Sequence, residues 1–476
     1  MKKLIQLSLS VSALCSSLNA HATFTTEFER GEKNIYFNSP NGVKEVCVIP
    51  KHYPEAKYKE KDLKKEELLC SYSFYSITDE EKNRTENPLH EAATCAKLNS
   101  TNPAVNIFHV PKDQTIEQVE KAQCKDVSKI GKYKNSTSCS YAPSIVGYYH
   151  LSRILGGIGR VPPSVLRTMD IKSHLQLTEE GKHLTKSGDL INKTWSGLGS
   201  NLSAGLKGAK KDLLLNDDGD ASYGAFIMNP KHEDFYKNLF TAGTDRAAAF
   251  RDKNPIFQLV KKSAPLSQIV SSQWDNKNVQ NLYAMRDATE FILLDHIMNQ
   301  QDRFGNIAQQ PKVVYVTKNP ENSDDLEITV EGSIDDYNED KKEGIVIEKF
   351  QPLTIQSMIL KDNDCGVTKT NVVKTAHLLE QVAHINPKTY KKLLEFQNSI
   401  NDNKSFFTKG LLFTEVDFKA VSSNLNDAVN ILKTNCKSGK LRLDLDIETY
   451  LTDSDEYKQK YESQKEQSCE LDNSQQ

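Results

Sequence analysis

Asp302, Arg303 and Asn306 stand together in a short polar loop, Gln300-Gln301-Asp302-Arg303-Phe304-Gly305-Asn306, that interrupts an otherwise apolar helical run. A carboxylate and a carboxamide four residues apart can serve a hydroxyl group and a hard divalent cation at once. Asp302 would orient or deprotonate an acceptor hydroxyl, and Asn306 would offer an oxygen ligand. Asp335, further along, offers a second. Hard oxygen ligands suit Mg²⁺ or Mn²⁺ bridging the phosphates of ATP. Phosphoryl transfer asks little covalent chemistry of a protein, only placement of the acceptor and neutralisation of phosphate charge. These residue types in this order therefore point to phosphoryl transfer, with Arg303 bracing the loop through a neighbouring acid.

Those residues need elements that hold them. Ala288, Phe291, Leu294 and Met298 recur at helical spacing, so a helix should bury one face and fix where the loop projects. Lys312 to Thr317 and Leu326 to Ile334 read as strands, separated by the turn-forming stretch Asn319-Pro320-Glu321-Asn322-Ser323-Asp324-Asp325. A hairpin of that kind would carry Asp335 back to the loop. Helix, acidic loop, hairpin and acid form the C-lobe layout of a protein-kinase-like enzyme.

The segment Tyr148-Tyr149-His150-Leu151-Ser152-Arg153-Ile154-Leu155-Gly156-Gly157-Ile158-Gly159-Arg160-Val161-Pro162-Pro163 resembles the HLDRILGF-RVPP signature of the secretory-pathway kinases, the family of the Golgi casein kinase, the xylose kinase and four-jointed. Asp295 to Asn306 resembles that family's DFLIGNMDRHHYE loop, and Ile334-Asp335-Asp336-Tyr337 resembles its LDNG metal motif. Ser222-Tyr223-Gly224-Ala225-Phe226 is similar to the small-residue stretch before its C-lobe. The resemblance spans about residues 105 to 340. It implies an α+β, two-lobed protein-kinase-like fold with an N-terminal extension and a helical C-lobe. It implies Asp302 as catalytic base, Asp335 as metal ligand, ATP with Mg²⁺ or Mn²⁺ as cofactor, and a protein or glycan hydroxyl as acceptor.

The chain departs from the pattern at several points. Phe304 stands where the family has His, and Asn306 lies four residues past the Asp rather than five. Val105-Asn106-Ile107-Phe108-His109-Val110-Pro111-Lys112 resembles the nucleotide-lysine strand LFKP, with His109 in the lysine's place and Lys112 displaced. The family's helix glutamate aligns with Ile145, and no acid lies between Asp126 and Asp170. A degenerate kinase fold acting as a binding or allosteric partner, and an adenylyl transferase on the same fold, therefore stay open beside the kinase reading; a disulfide-stabilised adhesion module is a further competitor.

Met1-Lys2-Lys3, the apolar run Leu4 to Leu18 and Ala20-His21-Ala22 read as an export signal over residues 1–22. Beyond it follow an extension and the start of the N-lobe over 23–104, a kinase-like domain over 105–450 and a polar, disordered tail over 451–476. The run is short for a membrane-spanning helix. The short basic start looks bacterial, giving a periplasmic or secreted protein. Of nine cysteines, eight follow the signal, an even number that suggests disulfides. If all pair, an odd number of bridges joins the five before residue 140 to the three after residue 360. No CxxC pair suggests zinc.

A net charge of −3 over 476 residues, with both signs interspersed, gives no sign of nucleic-acid binding. Lys57 to Glu67 reads as a solvated helix face, and Val43 to Ile49 and Leu69 to Ser76 as strands. The Gly156-Gly157-Ile158-Gly159 run follows a helix and lacks Gly-Lys-Ser/Thr, so it reads as a helix-ending turn rather than a phosphate loop. Gly181 to Asp220, rich in Lys, Gly, Ser and Asn, reads as an insertion or mobile loop, with Asn216 to Asp220 a polar turn. His150 and His296 read as packed core histidines. Helical spacing recurs over Val372 to Val382, Pro387 to Ile400 and Phe418 to Leu432.

Overall fold

The structure, a computed structural model, describes residues 31–99, 101–137, 139–207, 214–241, 245–318, 326–463 and 468–471. The export signal and the Asn319 to Asp325 turn lie outside the described residues. The chain is α+β, with a large sheet, a smaller one and a helical C-terminal region.

Twelve strands form the two sheets: β1 (Gly31–Asn38), β2 (Lys44–Pro50), β3 (Tyr72–Ser73), β4 (His90–Ala96), β5 (Val105–His109), β6 (Lys129–Asn135), β7 (Ser164–Asp170), β8 (Ala221–Met228), β9 (Asp234–Phe235), β10 (Ile307–Lys318), β11 (Leu326–Glu331) and β12 (Leu353–Leu360). The larger sheet runs β1-β2-β7-β8-β6-β5-β4-β3, all neighbours antiparallel except β3 and β4. The expected boundary at residue 104 falls inside this sheet, because β4 and β5 pair from Ala92–His109 to Ala96–Val105. Strands β1 to β4, which precede it, belong to the same sheet. In the smaller sheet β10 is flanked by β11 and β12, with β9 pairing at Ala308 and Gln309.

One face of the large sheet packs on the Ala142–Ile154 helix. That helix is buried on every side, which its near-absence of charge permits. Beneath it lies the Asn276–Met298 helix, whose residues from Leu282 to Met298 are almost all buried, and the Glu415–Lys437 helix packs beyond. The opposite face holds a separate apolar cluster. There the fully buried Arg167 stacks over Phe37 and Phe74 at 3.5 and 4.5 Å and bonds Glu45.

Three expected elements differ from the observed ones. Leu69 to Ser71 belong to the Glu60–Ser71 helix, because the Glu, Lys and Leu before them are strong helix formers and the Cys47–Cys70 disulfide pins its last turn to β2. The Gly181 to Asp220 stretch is largely helical. Asp170 caps Ile171–Leu184, and Leu190–Leu206 follows with Trp195, Leu198 and Leu202 buried at helical spacing amid Ser, Gly and Asn. Nor are the described residues after 450 without partners. Tyr457 is fully buried and donates to the Asp444 carbonyl, Cys469 bonds Cys436, and Glu470 pairs with Lys433 and Lys437.

Four disulfides close, Cys47–Cys70, Cys95–Cys124, Cys139–Cys365 and Cys436–Cys469. One bridge joins the early and late cysteine groups, as the parity argument requires. Such bridges fit an oxidising compartment, and among the described residues no helix is long and apolar enough to cross a membrane. The Cys139–Cys365 bridge spans 226 residues with no other bridge inside the loop. Chain-entropy reasoning gives such a loop up to about 5 kcal/mol. Replacing both cysteines by Ser should lower the urea midpoint accordingly, more than replacing Cys436 and Cys469, whose separation is 33.

Candidate active site

The Asn276–Met298 helix ends at Asn299, which adopts the left-handed conformation (φ 53°) that Asn tolerates, and the polar loop begins there. Arg303 does not point to solvent. Its guanidinium is fully buried and makes paired bonds to Asp295, Nε to Oδ2 at 2.7 Å and Nη2 to Oδ1 at 3.0 Å. Tyr148 Oη donates to the same Asp295 Oδ1 at 2.7 Å. Arg303 also donates to the Lys361 carbonyl and to Asn363 Oδ1, both at 2.7 Å. Burial alone would make this guanidinium a weaker base, but Asp295 outweighs burial and raises it above its ordinary value.

Arg303 thus grips the turn Lys361-Asp362-Asn363-Asp364-Cys365-Gly366, and other elements hold the same turn. Ser144 Oγ donates to the Asn363 carbonyl at 2.7 Å, Tyr141 N to the Asp364 carbonyl at 2.9 Å and Gln301 N to the Cys365 carbonyl at 2.9 Å. Cys365 is bonded to Cys139. At Gly366 a Cβ would stand 2.9 Å from the Met298 carbonyl and closer still to Ser144 Oγ, so the close approach requires glycine.

The turn delivers two carboxylates to a row of lysines. Lys132 and Lys134 are two residues apart on β6 and so share a face. Lys132 Nζ lies 2.6 Å from Asp362 Oδ1, and Lys134 Nζ lies 2.8 Å from Asp364 Oδ2. Burial opposes ionisation of Asp362, but Lys132, Lys134 and Lys97 overcome it and hold the carboxyl well below the usual range. Asp364 is lowered likewise, burial being outweighed chiefly by Lys134. Two further lysines, Lys97 and Lys129, crowd these charges and form no ion pair among the described residues. Burial, reinforced by Lys132, pushes Lys97 down to about 7 and Lys129 down to about 8.

Lys97, Lys129, Lys132, Lys361, Glu233 and Asp362 line a cavity of about 220 Å³, with Lys361 paired to Glu233. Ile145, Val161, Pro162, Ile227 and Met228 line it as well, where β8 leaves the large sheet. Lysines and apolar side chains thus share the lining of one cavity. Two ionised carboxylates alongside would suit Mg²⁺ or Mn²⁺, which takes most of its remaining ligands from water and phosphate. Among the described residues no three His, Cys, Asp or Glu converge as a closed metal cluster.

The structure brings together only some of the residues picked from sequence. Asp302 is 54% exposed at the loop surface with Arg246 3.7 Å away, and Asn306 Nδ2 donates to its carbonyl at 2.8 Å. Arg303 braces the loop through an acid, Asp295. Asp335 is not brought to the turn. It is exposed in the first turn of the Ile334–Lys342 helix, and β11 ends opposite Val313, six residues short of Ile307 where the loop leaves β10. At about 3.3 Å per residue that is about 20 Å. The strand that returns to the loop is β12, whose Leu360 pairs with Ile307, and it leads into Asp362. His109 ends β5 near Tyr72, and Lys112 is exposed in the loop after it; neither lines the cavity. Sequence reading passed over Asp362, Lys132 and Lys134. The signals were present: Asp362-Asn363-Asp364 follows an apolar strand, and Lys132-Tyr133-Lys134 alternates at strand period.

No family model matches the chain, and no curated protein does. Solved structures similar to it include two of one kinase. One is the golgi casein kinase, at 12% identity over 85% of this chain and 83% of that one with a TM-score of 0.36. The other is the Golgi casein kinase with Mn/ADP bound, at 10% identity over 85% and 84% with a TM-score of 0.37. Likeness at that level carries no functional argument, which rests on the site geometry.

Two tests follow from this geometry. Arg303→Met should leave Asp295 buried without its partner and cost about 3–5 kcal/mol in urea unfolding. For Lys97 and Lys129 the folded values lie below the ordinary 10.5, so between about pH 7 and 10.5 the unfolded chain binds more protons. Their contribution to stability therefore rises with pH across that window. In Lys97→Met/Lys129→Met the rise should flatten in pH-dependent urea melts.

Proposed function

We propose that this chain is a phosphotransferase that moves the γ-phosphoryl group of ATP to a hydroxyl on a protein or glycan. The observation that carries the reading is the pairing of a strand-borne lysine row with the Asp362-Asn363-Asp364 turn beside the Asp302 loop. In this reading the apolar lining residues of the cavity take the base. Lys132 and Lys134 exchange part of their contact with Asp362 and Asp364 for the phosphates, and Lys97 and Lys129 regain their full charge against them. A divalent cation, held by Asp362 and Asp364, would supply charge neutralisation on the transferring group. Asp302 faces solvent, where an acceptor arrives. It accepts the hydroxyl proton as the oxygen bonds to phosphorus and the bond to the ADP oxygen breaks. Asn306 acts by holding the Asp302 backbone, and Arg303 by holding the loop to the turn.

The test is label transfer from γ-labelled ATP to protein and glycan acceptors with Mg²⁺ or Mn²⁺. Wild type should transfer, and Asp302→Ala and Asp362→Ala should each lose at least about a hundredfold, the lower end of what a positioned proton acceptor contributes. A mass increase corresponding to AMP would instead indicate adenylyl transfer. Absence of any transfer, with both variants indistinguishable from wild type, would remove the enzymatic reading.

A further inference from the structure

A second cavity, of about 980 Å³ against about 220 Å³ for the lysine cleft, lies on the opposite face of the large sheet. Phe37, Phe74, Ile116, Met169 and Leu177, all buried, give it an apolar lining. Hydrogen bonds hold its walls in place. Asn41 Nδ2, in the turn between β1 and β2, donates to Asp170 Oδ2 and to Ser173 Oγ, which fastens that turn to the Ile171–Leu184 helix. Ile77 N and Lys82 Nζ each reach Glu91 Oε1 at 3.1 Å, which fastens the segment after β3 to β4. Glu120, on the Ile116–Lys121 helix, accepts from Thr94 N and Oγ1 of β4 at 2.8 and 2.7 Å. The space is therefore preformed, and its size is that of a small-molecule site.

The charge around this space is of one sign. Glu80, Glu81, Glu117, Glu120 and Glu180 line it with a single cation, Arg84, which lies 3.6 Å from Glu81. Among the described residues the side chains of Glu80, Glu117 and Glu180 make no ion pair and no hydrogen bond. Glu180 is half-buried, on a helix that packs on β4 as the Glu120 helix does. Burial pushes both carboxyls up; Glu120 adds to the effect at Glu180, while the Thr94 bonds pull Glu120 the other way. An unpaired carboxylate held part-way out of water is stabilised by a cation beside it. An anion such as a nucleotide would meet carboxylates here. An inorganic cation would leave the apolar lining unused, and among the described residues no three acids converge to hold one.

We propose that this cavity binds a linear polyamine, an alkyl chain carrying two or more ammonium groups. The acids come from three elements, the Asp79–Lys82, Ile116–Lys121 and Ile171–Leu184 helices. Ammonium groups spaced along a chain can each meet one of them, which a compact cation cannot. Glu180, with Glu120 nearby, takes one ammonium through charge-assisted hydrogen bonds, and the methylenes between ammonium groups cover the Phe37, Phe74 and Met169 lining. The site stands apart from the Asp362 cleft and does not depend on phosphoryl transfer there.

The experiment is calorimetric titration of spermidine into the disulfide-bonded protein at constant ionic strength, with hexanediol as the uncharged chain and Mg²⁺ as the charge without a chain. Wild type and Lys132→Gln, a variant of the other cleft, should bind spermidine alike, and neither hexanediol nor Mg²⁺ should compete at equal concentration. Glu180→Gln should bind about tenfold more weakly. Glu180 has no partner to lose, so the variant should melt as wild type does without ligand; if it does not fold, Glu117→Gln, at an exposed position of the same lining, should show the weakening instead. Absence of spermidine binding, unchanged affinity in the folded glutamate variants, or displacement by equimolar Mg²⁺ would overturn the proposal.

Discussion

The buried ion pair between Arg303 and Asp295 is the joint on which the site depends. Asp295 lies on the long central helix and Arg303 in the loop that follows, so the pair folds the loop back on its own helix. The guanidinium has donors to spare, and they reach the Lys361 carbonyl and Asn363 on the turn after β12. One side chain therefore sets the position of the Asp302 loop and of the Asp362 turn together. A charge buried in this way is stable only while all its partners are present, which makes the arrangement close to all-or-none. Tyr148 extends the joint to the Ala142–Ile154 helix, and through that helix to the large sheet.

The second constraint is covalent. Cys139 follows the lysine strand by a few residues and Cys365 follows Asp364 directly, so their bridge ties the lysine-bearing and carboxylate-bearing segments beside the place where they meet. The lysines and aspartates then neutralise one another across the gap between sheet and helical region. Lys97 and Lys129 stand beside them, their basicity depressed by burial first and then by Lys132.

Much of this was legible in the residues. The periodicity of Ala288 to Met298 located the central helix, and the Asp-Arg pair after it located the loop. The glycine run was read as a helix-ending turn, and Gly156, Gly157 and Gly159 all adopt positive φ there. His150 and His296 are fully buried, as core positions should be. The second carboxylate was not legible by the same route. Reading a hairpin after the loop led to Asp335, but β10 is a middle strand, and its other neighbour β12 arrives about 35 residues later in the chain than β10 ends. Local pattern cannot tell which of two neighbouring strands returns to the loop, because register is set by tertiary pairing. The lysines were missed for a related reason. Attention to His109 and Lys112 fixed on β5, whereas the adjacent β6 presents its Lys side chains to the turn.

The central claim is that the Asp362 turn, not the acid after β11, meets the nucleotide at the lysine strand. Calorimetric titration of ADP with Mn²⁺ into wild type, Asp362→Asn and Asp335→Asn tests it most directly. The account predicts metal-dependent ADP binding that Asp362→Asn weakens at least about tenfold, as expected for removing one charged ligand group, and that Asp335→Asn leaves unchanged. Loss of binding in Asp335→Asn with Asp362→Asn unaffected would contradict it.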